Sequence, residues 1–216
     1  MSTLLIVGAG GLGAPVIRIL SEAGVTGMCV LDPDTVAIEN LHRQILFTDS
    51  DLGRPKAEVV AERMEVETRA ERLTAKNGDG WIEGRACVID GTDNFADKYL
   101  LNDLCLKHDV PLVHAGAAQF RGQVLLVRRG GPCLRCLLQE PPDAATDECA
   151  RTGIVGPAAG LVAALAAGET LRVLSGDTAR SRVLMADLAS GRLRRVRLDP
   201  KPDCVCSFAS ASILLG

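Results

Sequence analysis

The run Thr3-Leu4-Leu5-Ile6-Val7 leads without a break into Gly8-Ala9-Gly10-Gly11-Leu12-Gly13. An apolar, partly β-branched segment of this kind suits a strand buried on both faces. After the glycines the pattern changes to a helical period, with Leu12, Val16, Ile19, Leu20 and Ala23 on one face. Strand, glycine turn and helix in that order make a cradle for phosphate. The glycines permit a tight turn, close approach of backbone to the anion, and close packing of helix on strand. Free N–H groups at the helix start then point at the anion. A second apolar run, Met28-Cys29-Val30-Leu31, ends at Asp32, where an acidic side chain accepts hydrogen bonds from ribose hydroxyls. On these residues alone an NAD-dependent dehydrogenase is the default reading.

The same alternation continues outward from this unit. It predicts helices over 12–23, 54–67 and 94–107, and strands over 27–31, 71–75, 86–90 and 111–115. That order implies an α/β fold, a Rossmann-like, doubly wound and mostly parallel sheet with helices on both faces. Pro55 suits a first helical position and sets Lys56 at the helix start. Asn77-Gly78-Asp79-Gly80 reads as a turn. Beyond Gln119 come a strand over 123–129, Gly130-Gly131-Pro132, a Cys-rich loop and an Ala-rich helix over 156–174. Strands over 182–188 and 192–198 flank Ala189-Ser190-Gly191, so an antiparallel C-terminal extension is expected. A chain of 216 residues can bury one sizeable core. A single domain over 1–216 is expected, with a nucleotide-binding half over 1–120 and a Cys-rich half over 121–216.

Composition narrows the partners. Aromatic residues make up 3% of the chain, which disfavours a surface that reads bases by stacking, and a net charge of −3 gives no electrostatic pull toward nucleic acid or anionic membrane. The longest charge-free stretch, over 152–168, is interrupted by Gly153, Gly156, Pro157 and Gly160 and reads as too short to span a bilayer. With no signal-peptide pattern at the start, a cytoplasmic location is expected. Of the eight cysteines, Cys29, Cys87 and Cys105 fall in core elements as small hydrophobes. Cys133, Cys136, Cys149, Cys204 and Cys206 gather in the loop-rich second half, where metal or redox chemistry is the better expectation.

A dehydrogenase has no use for the residues that follow Asp32. After Asp34, and with Gln44 beside them, Asn40, Arg43 and Lys56 place one amide and two cations near the phosphate turn, a group suited to a triphosphate whose pyrophosphate must leave. The strand Ala86-Cys87-Val88-Ile89-Asp90 ends in Gly91-Thr92-Asp93-Asn94, so Asp93 stands at a strand's carboxyl end as a magnesium ligand. Each residue has a plain structural alternative: Arg43 and Lys56 as solvated charges, Asp93 as the cap of the helix near Asn94. His42, His108 and His114 have no recognisable triad partners and are assigned no chemistry.

Taken together, G-x-G-G-L-G, D-x-D, N-L-x-R-Q, G-x-P-K and the later Thr-Asp-Asn resemble the adenylating enzymes of ubiquitin-like proteins, and most of all the ThiF/MoeB/HesA group that activates sulfur carriers. Gly116-Ala117, Gly122-Gln123, Cys133-Leu134-Arg135-Cys136 and Gly153-Ile154-Val155-Gly156-Pro157 follow in family order. The resemblance implies that Gly8, Gly10, Gly11 and Gly13 cradle ATP phosphates and that Asp32 binds ribose. It implies that Asn40, Arg43 and Lys56 hold the phosphates with Gln44 in support, and that Asp93 holds Mg2+. It further implies a ubiquitin-like sulfur-carrier protein as acceptor, a sulfur donor protein as possible partner, and a homodimer. The alternatives are an NAD-binding oxidoreductase, an adenylating enzyme with a peptide or tRNA acceptor, and a non-catalytic nucleotide-binding partner.

The resemblance also assigns Cys133, Cys136, Cys204 and Cys206 to a structural Zn2+ site, although Cys204-Val205-Cys206 is one residue shorter than the usual pair; a metal-free thiol cluster or a disulfide are the alternatives. Cys149 falls where some relatives carry a cysteine that bonds covalently to the carrier; an unreactive loop thiol is the other reading. Relatives carry a helical extension that delivers an arginine to the neighbouring subunit's ATP, whereas this sequence starts at the strand, so a replacement residue, weak catalysis or a different reaction is expected.

Overall fold

Strands β1 (Leu4–Val7), β2 (Met28–Leu31) and β4 (Cys87–Asp90) are buried along their whole length, as their apolar runs require. In the computed structural model, which describes residues 3–138, 153–178 and 181–207, they lie at the heart of an eight-stranded sheet. The other strands are β3 (Glu67–Arg69), β5 (Leu112–Ala118), β6 (Arg121–Val127), β7 (Arg182–Asp187) and β8 (Arg192–Val196). Their order is β3-β2-β1-β4-β5-β6-β7-β8. Pairing is parallel from β3 to β5 and antiparallel from β5 to β8. This is the doubly wound α/β sheet with an antiparallel extension that the sequence implies.

The helices among the described residues are α1 (Gly13–Glu22), α2 (Lys56–Arg63), α3 (Gly78–Ile82), α4 (Phe95–His108), α5 (Leu134–Leu137) and α6 (Gly156–Leu174). Alternate strand residues feed two cores. Leu4, Ile6, Val30, Ile89 and Val113 pack with α1, α2 and α6, while Leu5, Val7, Leu31, Val88 and Leu112 pack with α3, α4 and the Cys-rich segment. Close approach of α6 to the sheet depends on Gly122, where a Cβ would lie 2.2 Å from Val162 Cγ2. By length and composition α6 could cross a membrane, contrary to the sequence expectation, but it packs against α1, β5 and β6 as a core helix.

Several expectations shift. The strand expected over 71–75 is β3 at Glu67–Arg69, because α2 ends at Arg63 and this exposed edge strand carries no apolar signal. Asn77 to Gly80 is no simple turn: α3 begins at Gly78, where a Cβ would meet Leu104 Cδ1 at 2.4 Å. On α1 the buried stripe includes Ala14 and Ile17, while Ala23 is exposed, because both the sheet and α6 press on this helix.

A Cβ at Gly13 would lie 1.8 Å from the Gly8 carbonyl oxygen. Gly13→Ala is therefore expected to cost about 1–3 kcal/mol of stability, seen as a lower urea midpoint. Gly160→Ala, whose Cβ meets open space inside α6, is expected to leave the midpoint unchanged or raise it. Equal midpoints for the two variants would contradict the close contact.

Candidate functional site

Strand order reverses direction between β1 and β4, since the chain runs from β1 outward to β2 and β3 and then crosses back to β4. Ligands of open α/β sheets bind at such a switch point, beyond the carboxyl ends of the strands. Here those ends open onto a cleft of about 1420 Å³. That volume exceeds the roughly 300–1,000 Å³ of ordinary small-ligand sites, leaving room for a nucleotide and a second reactant.

Glycines close the floor of the cleft. Gly8 has φ +94°, a conformation that favours glycine, and a Cβ there would lie 2.7 Å from the Gly91 carbonyl oxygen. Gly91, in turn, would place a Cβ 2.9 Å from the Gly8 carbonyl oxygen. Gly10 and Gly11 face the cleft, with Gln44 Nε2 and the Arg43 side chain lying over them. Arg43 is held by Asn40, whose Oδ1 accepts from Nη2 at 2.6 Å.

Asp32 is buried; its carboxylate accepts the N–H of Ala9 at 2.6 Å and of Asp34 at 2.8 Å. Burial pushes its pKa up, opposed by Lys56 and by those two N–H groups. Lys56, also buried, donates to Asp34 Oδ2 at 3.0 Å from the first turn of α2. The structure thus brings Asp32, Asp34, Asn40, Arg43, Gln44 and Lys56 into one wall of the cleft. Asp93 is exposed and lines the same cleft after β4, on the other side of β1 from β2. It does not cap α4; Asn94 does, accepting from the Asp97 N–H at 2.9 Å.

Beneath Asp93 lies a cluster that sequence reasoning missed. Asp90 is fully buried and accepts from the Thr92 N–H at 3.0 Å, Thr92 Oγ1 at 2.6 Å, His114 Nδ1 at 2.6 Å and Lys98 Nζ at 3.3 Å. Lys98 also donates to the carbonyls of Thr92 at 2.6 Å and Ala115 at 3.1 Å. Burial alone would raise the Asp90 pKa, but Lys98, His114 and Thr92 outweigh it and hold the carboxyl well below its usual range. His114, assigned no partner from sequence, is thereby paired. The available signal was a carboxylate ending an apolar strand and a histidine inside Leu112-Val113-His114-Ala115, each needing a buried partner. His42 bridges the cleft wall to the far side of the chain, with Nε2 3.3 Å from the Ile154 carbonyl oxygen.

On the α4 side, the sulfurs of Cys133, Cys136, Cys204 and Cys206 all lie within 4.8 Å of one another and are buried. The pairs Cys133–Cys204 and Cys136–Cys206 stand 3.5 and 3.4 Å apart, beyond the roughly 2.05 Å of a disulfide. Tetrahedral thiolate coordination at about 2.3 Å puts sulfurs about 3.8 Å apart, so the donor set fits such an ion. The short pair works because a 3-10 turn at Val205–Ser207 brings Cys204 and Cys206 to the same side. Burial and the neighbouring Cys204 push the Cys133 thiol up to about 12, a cost that a divalent cation would remove. Cys149 lies outside the described residues.

A doubly wound sheet with a glycine turn at its switch point is the architecture of the nucleotide-binding α/β class. The family model described as the ThiF family matches residues 1–207, and the chain belongs to that family. It is 38% identical to the SAMP-activating enzyme E1 of Haloferax volcanii over 95% of this chain and 80% of that protein. To the sulfur carrier protein adenylyltransferase of Thermus thermophilus it is 36% identical, over 95% and 82% respectively. Against the adenylyltransferase and sulfurtransferase MOCS3 of Anopheles gambiae, 38% identical, it spans 50% of the longer chain. The crystal structure of E. coli MccB with ATP shares the fold, with TM-score 0.80 and 19% identity over 95% of this chain and 67% of that one.

The buried pair sets an acid limit on stability. Burial lowers the His114 pKa below 6.5, so the unfolded chain takes up this proton first. The associated stability is present above about pH 6.5 and is lost as pH falls toward the folded value. The Asp90 contribution is present above its unfolded pKa of 3.8 and is lost only as pH falls further. Urea unfolding at pH 7.5, 6.5 and 5.5 should show declining stability, with a shallower decline in His114→Asn. An identical slope in the variant would contradict the buried neutral imidazole.

Proposed function

We propose that this chain is an ATP-dependent adenylyltransferase that activates the C-terminal glycine of a ubiquitin-like sulfur-carrier protein. The observation that carries this is that Arg43, Lys56 and Asp93 line the switch-point cleft together with the glycine turn, the Arg43 side chain lying over Gly11. The named activities of the Haloferax and Thermus relatives support it. In this reading Gly8, Gly10, Gly11 and Gly13 receive the phosphates on backbone N–H groups, and Asp32 receives the ribose. Asn40, Arg43 and Lys56 hold the phosphates with Gln44 in support, and the two cations offset charge on the departing pyrophosphate. Asp93 is the ligand proposed for Mg2+, which supplies further charge neutralisation when bound. A carboxylate oxygen of the acceptor forms a bond to the α-phosphorus as the bond to the bridging oxygen breaks, and pyrophosphate leaves with the electron pair. The nucleophile is already ionised, so no protein base need take a proton.

Residues 1–216 serve as one adenylation domain in this proposal, cytoplasmic and homodimeric, with the half over 121–216 receiving the carrier. Arg121, Arg192 and Arg194 line the cleft on that side and offer positive charge to an acidic partner. The exposed apolar positions Pro157, Ala164 and Leu171 of α6 support pairing of two copies. Zn2+ is the ion proposed for the four cysteines, in a closed thiolate set that leaves no position for catalysis.

Exchange of labelled pyrophosphate into ATP tests the reaction, using purified Gly-Gly-ended ubiquitin-like carriers. Exchange should depend on carrier, and Arg43→Ala should lower it by about a hundredfold or more. Absence of exchange with every carrier would overturn the proposal, and an unaffected Arg43→Ala would favour a non-catalytic partner. Titration with NADH followed by nicotinamide fluorescence should show no change.

Metal analysis of the purified protein should give one zinc per chain. Cys204→Ser should lose the metal and unfold at lower temperature, since structural sites of this kind contribute directly to folding. Full retention of zinc in Cys204→Ser would remove this cysteine from the site.

A further inference from the structure

His114 occupies the wall of the cleft on the strand face that it shares with Leu112 and Gly116. Its Nδ1 faces Asp90 Oδ2 at 2.6 Å, and Asp90 is kept ionised by Lys98 and Thr92. The proton of the ring therefore sits on Nδ1, and burial keeps the ring neutral, so Nε2 presents a lone pair. Nε2 is buried and has no hydrogen-bond partner among the described residues. Buried acceptors are rarely left unpaired, and those that are call for an explanation. The next residue on that face is Gly116, where a Cβ would stand 3.5 Å from Nε2. With glycine there, no side chain of β5 lies against the buried Nε2 from that direction.

The strand order identifies the reactant that comes to it. Asp32 follows β2, the glycine turn follows β1, Asp93 follows β4, and His114 lies on β5, in the spatial order β2-β1-β4-β5. At about 4.8 Å per strand, His114 is about 14 Å from the strand that ends at the ribose anchor. A nucleotide with its ribose at Asp32 and its phosphates over β1 and β4 does not extend to β5. The reactant over β5 is the acceptor that approaches the α-phosphate from that side. A carboxylate oxygen cannot donate to a lone pair, and a tail of glycines carries no side-chain donor. Its backbone N–H groups are the matching partners.

We propose that His114 is a specificity-determining residue whose Nε2 accepts a hydrogen bond from a backbone N–H of the acceptor's C-terminal glycine tail, which fixes the terminal carboxylate facing the α-phosphorus. This inference rests on the adenylation reading and assigns one of its tail-binding contacts. Asp90 and Lys98 act behind it by fixing the tautomer and orientation of the ring.

Carrier-dependent pyrophosphate exchange, measured with a Gly-Gly-ended carrier and with semisynthetic versions N-methylated at the last or the penultimate glycine, tests the contact. In the wild type, methylation at one of the two positions should raise the carrier KM by about tenfold, with the KM for ATP unchanged. His114→Asn, which can keep a donor to Asp90 but lacks the Nε2 acceptor, should raise the carrier KM by a similar factor for the unmodified tail. Methylation should then add nothing further. His114→Gln, which carries an amide oxygen at greater reach, should recover part of the loss, and Gly116→Ala should reproduce it by covering Nε2. An unchanged carrier KM in His114→Asn, an equal rise in the KM for ATP, or losses that multiply between variant and methylated tail would each overturn the assignment. Failure of the adenylation reading would look different, as absence of exchange in the wild type with the unmodified carrier.

Discussion

The turn after β1 packs backbone to backbone against both the start of α1 and the turn after β4. Gly8, Gly13 and Gly91 meet with no room for a side chain on any of them, the Gly13 Cβ position lying 1.8 Å from the Gly8 carbonyl oxygen. That contact brings the start of α1 down onto β1 and sets the Asp93 turn beside the glycine turn. The glycine turn and the turn that carries Asp93 are thus positioned by the backbone contacts of these three glycines. Neighbouring hydrogen bonds lock it, with Gly8 donating to the Leu31 carbonyl at 2.8 Å and Gly91 to the Val7 carbonyl at 2.9 Å.

Charge is arranged in two tiers around this contact. The upper tier faces the cleft and consists of Arg43, Lys56 and Asp93, positioned by Asn40 and Asp34. The lower tier is the buried Asp90, Lys98 and His114 cluster, whose hydrogen bonds tie the end of β4, the turn that carries Asp93, and β5 into one unit. A buried carboxylate is tolerated only when several donors surround it, and here they come from three segments of chain. Asp90 contributes to the site by fixing what lies above it.

The antiparallel half extends the same sheet and widens the cleft. Gly122 lets α6 lie close on β6, and the four cysteines clip α5 to the chain near Val205–Ser207 on the opposite face. Both faces of the extension are thereby covered by elements distant in sequence. The far side of the cleft is built on the same sheet as the glycine turn.

The glycine turn, the strand-helix alternation and the run from Asp32 to Lys56 were legible in the sequence because each expresses a local requirement: buried strands need apolar runs, a phosphate turn needs glycine, and charge near it needs cations. The resemblance added the expectation of a carrier-protein acceptor and the assignment of the four cysteines to zinc. The edge strand β3 and the short helix at Gly78 escaped, since exposure in one and a packing contact with Leu104 in the other leave no periodic signal. The Cys204-Val205-Cys206 pair was readable as a donor set, but its reach to Cys133 and Cys136 depended on a turn that spacing does not specify. Sequence by itself determined which residues carry charge, thiol and glycine, and in what order. Only the tertiary structure decided that Gly91 closes against Gly8, that Asp90 is paired by Lys98 and His114, and that one ring nitrogen is left unpaired, because each depends on segments whose adjacency is set by the crossover of the sheet.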